Sequence, residues 1–124
     1  AANRKAFTPI LRELLVAYLC THSKITWVGG PYFLLDMILK GVREHWKEVS
    51  PKSILLDVTL PLEIRGRLVE LLAVASQHAA DSEVVKYPNM LLKYDRAQIE
   101  ETISQTLRET REEGLRDLIR KWFP

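Results

Sequence analysis

The chain has 124 residues, enough for one domain that buries about two-thirds of its surface on folding. Hydrophobic residues at 47% and charged residues at 27% exclude a disordered chain, and the single cysteine, Cys20, excludes an internal disulfide. A net charge of +2 with no block of five like charges falls below the footprint of a strongly basic nucleic-acid arm, and no apolar run is long enough to span a membrane.

The first residues, Ala1-Ala2-Asn3-Arg4-Lys5, hold no initiator Met and lead into no signal-peptide core. The expectation is a single helical domain, residues 1–124, excised from a larger intracellular protein, nuclear or cytoplasmic. Thr8-Pro9, Gly30-Pro31 and Ser50-Pro51 each place a proline just after a residue suited to cap a helix.

Helix one is predicted from Pro9 to about Thr21. Its apolar positions are Ile10, Leu11, Leu14, Leu15, Ala17, Tyr18 and Leu19, with Arg12 and Glu13 on the wet side. Cys20 neighbours Val16 and Leu19 and is expected to be a small buried hydrophobe with a slowly reacting thiol. A loop follows from Thr21 to Gly30. Helix two is predicted from Pro31 to about Glu48, apolar almost all round through Met37-Ile38-Leu39, and therefore central. Its last turns carry Arg43, His45, Trp46 and Lys47 and are expected to leave the core.

Pro51 to Thr59 is predicted as a short helix, with a strand as the alternative that its β-branched residues allow and Asp57 as a boundary cap. Helix four runs from Pro61 to about Ala80, with Glu63, Arg65, Arg67 and Glu70 covering its polar side. Gly66 in its second turn costs about 1 kcal/mol relative to Ala, which a close helix–helix contact would explain. Residues 81–93 are ambiguous between helix and loop. Asp95-Arg96-Ala97-Gln98 is a capping box that opens the last helix. That helix is predicted to exceed twenty residues and to bend at Gly114. Ile99, Ile103 and Leu107 stack at four-residue spacing, and Leu115, Leu118, Ile119 and Trp122 resume the stripe. Glu112 with Arg116, and Asp117 with Lys121, are favourable i,i+4 pairs. The fold class is all-α, an irregular bundle of five or six helices with a long C-terminal helix.

Catalytic and ligand-binding patterns are sparse. His22, His45 and His78 are scattered, and His45 with Glu48 lacks a second copy for a metal site. His22 lies two residues from Cys20, which on a helix points elsewhere and cannot activate a thiol. Gly29-Gly30-Pro31 lacks the spacing and the Lys-Ser/Thr of a phosphate loop. Asp36 pairs with Lys40 in the sequence, and no third group joins it or Asp57. No catalytic constellation, metal or cofactor is expected. Trp46 and Trp122 either close off the core or serve as interface anchors.

Leu34-Leu35-Asp36-Met37-Ile38-Leu39-Lys40 resembles the Leu-Leu-Asp-x-x-x-Lys stretch of helical superhelix domains of the VHS and polymerase-tail-interacting type. That resemblance implies a peptide-binding superhelix, holding an extended peptide in a groove between helices.

The leading expectation is a non-catalytic helical protein–protein interaction or scaffolding module, not an enzyme, with another protein, presented as a helix or extended peptide, as its partner. A helical nucleic-acid-binding domain is the alternative, on the cations of helix two and of the last helix. The binding surface expected from the sequence comprises Arg43, Trp46 and Lys47 at the end of helix two, with Arg108, Arg111 and Arg116 on the final helix. Tryptophan and arginine dominate binding hot spots, and mixed charge favours specific pairing.

Overall fold

The computed structural model describes residues 2–21, 38, 40–80 and 95–124, and the side chains of 9–21, 38, 40–77 and 95–124. The expected loop around Trp27, the Gly29-Gly30-Pro31 turn, Asp36, most of the 34–40 stretch and the ambiguous 81–93 segment lie outside these residues. The fold is all-α: six helices have both ends described, residues 40–44 are helical as well, and no strand occurs among the described residues. The chain divides into two compact units, Ala1–Ser50 and Pro51–Pro124.

In the first unit, α1 spans Ala2–Thr21 and starts seven residues before the predicted Pro9. Ala2, Arg4, Lys5 and Ala6 favour helix, which carries it back past the proline. Pro9 then lies inside the helix and removes one backbone hydrogen bond. Leu11, Leu15, Tyr18 and Leu19 are buried at helical spacing. Burial raises the pKa of the Tyr18 phenol. Leu11 packs against the helical stretch 40–44, where a Cβ on Gly41 would stand 2.9 Å from Leu11 Cδ1.

Three expectations fail on this unit. Ile10 and Leu14, one step out of phase with the buried stripe, are 53% and 47% exposed. Cys20 is exposed too, because it shares the outer face with Glu13 and Ala17 at i+7 and i+3. The end of predicted helix two is interrupted at His45 (φ −122°, ψ 39°), after which α2 spans Trp46–Val49. Ile38, Val42, Trp46 and Val49 form one buried row, so Trp46 belongs to the core instead of projecting from it. Ser50 closes α2 in a left-handed conformation (φ 51°), its N–H donating to the Trp46 carbonyl at 2.9 Å.

The second unit contains α3 (Pro51–Leu55), α4 (Leu62–Ala80), α5 (Arg96–Glu109) and α6 (Glu113–Trp122). α4 is central and touches the other three. Ile54, Leu55, Leu68, Val69, Leu71, Leu72, Ile99, Leu115 and Ile119 form the core. α3 ends four residues before the predicted Thr59, because the Asp57 carboxylate folds the chain into a turn. It accepts the Thr59 N–H at 2.9 Å and the Thr59 hydroxyl. Asp95 caps α5 as predicted, accepting from the N–H groups of Ala97 and Gln98.

Gly66 also fits its expected role: a Cβ there would sit 3.1 Å from Leu118 Cδ1, so α4 and α6 approach closely at this point. Gly114 serves the same contact from the other side, where an added Cβ would stand 3.0 Å from Leu62 Cδ1, and it does not bend a helix.

The long C-terminal helical region is present in two pieces, broken at residues 110–112 and not bent at Gly114. Helix phase explains the break. At about 100° per residue, Ile119 would lie roughly 200° around one continuous helix from Ile99. A straight helix cannot bury both, and the three-residue step re-aims the second stripe onto α4.

Arg65 secures that step. Predicted on the polar side of α4, it is only 3% exposed, because it lies in line with Leu68, Val69 and Leu72 at i+3, i+4 and i+7. Its guanidinium donates from Nη1 and Nη2 to the Glu112 carboxylate at 2.7 and 2.9 Å. Nε donates to the Leu60 carbonyl at 3.0 Å, and Nη1 also reaches the Leu55 carbonyl at 3.2 Å. The expected Glu112–Arg116 pair is therefore replaced. Arg116 Nη2 instead donates to the Thr110 carbonyl at 2.8 Å, and Thr110 Oγ1 accepts the Glu112 N–H at 3.1 Å.

Candidate functional site: a groove at the end of the second unit

With α6 re-aimed, its C-terminal end closes one side of an open groove between α4 and α5. Ile103 and Leu107 of α5 form the floor. Trp122 and Phe123, both half-buried, form the end wall. Ala73, Ser76 and Gln77 of α4 make the opposite bank, and Ser104 lies exposed on the rim. The groove encloses about 530 Å³, within the range of concavities that hold a ligand or a side chain cluster.

Local sequence accounts for each wall. Leu107 continues the Ile99–Ile103 row at four-residue spacing. Trp122 continues the Leu115–Leu118–Ile119 row and reaches the end of α6 only partly covered. Lys121 Nζ stands 5.6 Å from the Trp122 ring centroid, near enough for a cation–π contact. Arg96 and Glu100 also line the groove, and Arg96 Nε donates to Glu100 Oε1 at 2.9 Å, so these two charges are already matched. The chemistry on offer is an aromatic and aliphatic surface with small hydroxyl and amide groups at its edge.

The residues expected to bind a partner are distributed differently. In the first unit Trp46 is buried at 8% exposure, Arg43 is half-buried and Lys47 is exposed. Arg43 Nη2 lies 3.9 Å from the carboxylate of its neighbour Glu44. In the second unit Arg108 and Arg111 are exposed, whereas Arg116 is half-buried and engaged with Thr110. None of the six lines the groove. Of the two tryptophans weighed from the sequence as interface anchors, Trp122 alone lies at a concave surface. The signal for the rest of the site was the row of Ile103 and Leu107; the missing piece was the break that brings the α6 end beside them.

Among the described residues, no group of three or more His, Cys, Asp or Glu is placed to hold a metal ion. No helix of these residues is long and apolar enough to cross a membrane. The chain matches no protein-family model, no curated protein and no solved structure.

Proposed function

We propose that this chain is a non-catalytic helical interaction module of an intracellular protein, which holds an apolar segment of a partner protein in the groove between α4 and α5. One observation carries this reading: the half-buried Trp122 and Phe123 stand together at the end of a groove floored by Ile103 and Leu107. Tryptophan is among the residues most enriched at binding hot spots, and a partner segment seated here would complete its desolvation. Among the described lining residues the cation is Arg96, and Glu100 matches it, which favours a protein partner over nucleic acid.

The test is the Ser104→Arg variant. Ser104 is exposed on a helix, where arginine is a good helix former, so folding is kept while a long cation enters the groove. Partners captured by the natural chain and lost by a variant with an unchanged thermal melt support the reading. Identical partners for both chains refute it.

A further inference from the structure

The connection between α5 and α6 is made of Thr110, Arg111 and Glu112, with neither glycine nor proline. Thr110 (φ −73°, ψ 144°) and Glu112 (φ −93°, ψ 115°) are extended, and a local side-chain bond across the step runs from the Glu112 N–H to Thr110 Oγ1 at 3.1 Å. Glu112 occupies the N-cap position of α6 but makes no side-chain cap, because its carboxylate is taken by Arg65. The helix interruption therefore leaves backbone N–H groups at the start of α6 uncapped; the local Arg116–Thr110 bond braces it, and two tertiary features hold it open, the Arg65–Glu112 pair and the docking of Leu115, Leu118 and Ile119.

We propose that α6 is an exchangeable element: when the Arg65–Glu112 latch opens, α5 and α6 fuse into one helix, and α6 docks on α4 of a second copy of this chain. The occupant must be a second copy because the surfaces are self-matched. Gly66 and Gly114 are recessed to receive Leu118 and Leu62 at about van der Waals separation. The phase relation points the same way. In the fused helix the α6 stripe faces well away from the α5 stripe, so it leaves its own α4 and is presented outward. Fusion restores the missing i→i−4 backbone bonds across 110–112, and exchange reforms every α4–α6 contact in the dimer. The closed monomer and the exchanged dimer thus differ mainly in the hinge, the condition under which domain swapping occurs.

The experiment uses the full chain, with light scattering after size exclusion at rising protein concentration. Glu112→Ala opens the latch and places the best helix former in the hinge. The dimerisation constant should rise by roughly three orders of magnitude, because each of the two closed monomers loses its charge-assisted bond pair while the exchanged dimer, whose latches are already open, loses none. Adding Glu113→Pro should return the constant to that of the natural chain or below. Residue 113 is the first of α6, where proline is favoured, and it follows an extended residue; in the fused helix the same proline breaks the bonding. In a dimer mixed from isotope-labelled and unlabelled chains, Leu118 methyl contacts to Gly66 should be intermolecular. Should Glu112→Ala melt below the working temperature, Glu112→Gln, with the same shape and weaker bonds, carries the same comparison. An unchanged constant, a dimer indifferent to Glu113→Pro, or purely intramolecular Leu118–Gly66 contacts each overturns the proposal.

Discussion

Replacing Arg65 with alanine removes four hydrogen bonds at once: two to Glu112 and one each to the carbonyls of Leu55 and Leu60. Removing one partner of a buried ion pair costs about 3–5 kcal/mol. Glu112 is 28% exposed, so water recovers part of its lost bonding, and the expected loss is about 3–4 kcal/mol. Glu112→Ala is milder, about 2 kcal/mol, because Nε and Nη1 of Arg65 keep their carbonyl partners. The double variant should lose little more than Arg65→Ala alone, a coupling of about 2 kcal/mol. Urea unfolding followed by circular dichroism at 222 nm measures all four corners of the cycle, and the slope against urea should not change. A loss below about 1 kcal/mol for Arg65→Ala, or strict additivity, would refute the assignment of this pair as the fastening of α6.

The same pair sets an acid limit. The Arg65 hydrogen bonds hold the Glu112 carboxyl below the ordinary carboxylate range, with burial opposing them. Its contribution is complete above the unfolded-state value and is lost as pH falls through the lowered folded value; a titration of stability in which Glu112→Gln abolishes that acid-side loss checks it. Cys20, exposed and at the end of α1, should react with a thiol reagent in the native state at the rate of a free cysteine, and protection until unfolding would contradict its placement. Gly66→Ala should change stability by less than about 1 kcal/mol, since the gain in helix propensity offsets a small shift of the half-buried Leu118. Gly66→Leu should cost about 2 kcal/mol by forcing α6 away from α4, and the difference between the two melts reads the tightness of that contact.

Helix type and order were legible because apolar residues recur at helical spacing in every described segment, and Asp95 announced its cap three residues before Gln98. What escaped was phase and partner. Arg65 reads as surface by chemistry, yet its position relative to Leu68, Val69 and Leu72 puts it inside. Trp46 follows a polar run, yet it completes a row with Ile38, Val42 and Val49. Cys20 borders Leu19, but a step of one residue turns it outward. The break at 110–112 was also encoded, in the rotation between the stripes of Ile99 and Ile119. Its partner Arg65 lies forty-seven positions from Glu112, a distance at which local pattern carries no signal. The groove depends on that break and was hidden with it.

The inner face of α5 is built on threonine as much as on isoleucine: Thr102, Thr106 and Thr110 are all buried. Thr106 Oγ1 donates to the Thr102 carbonyl at 2.7 Å, within its own helix. This buried hydroxyl is thus satisfied before α5 meets any other element, and it makes no demand on what lies opposite. During folding such a face can enter the core dehydrated, without having to find a polar mate. Asp95 defines where the helix begins, and Arg65 catches the residue just past its end. The helix is therefore fastened at its two extremities, while the Thr106 hydroxyl between them is answered from within α5 itself.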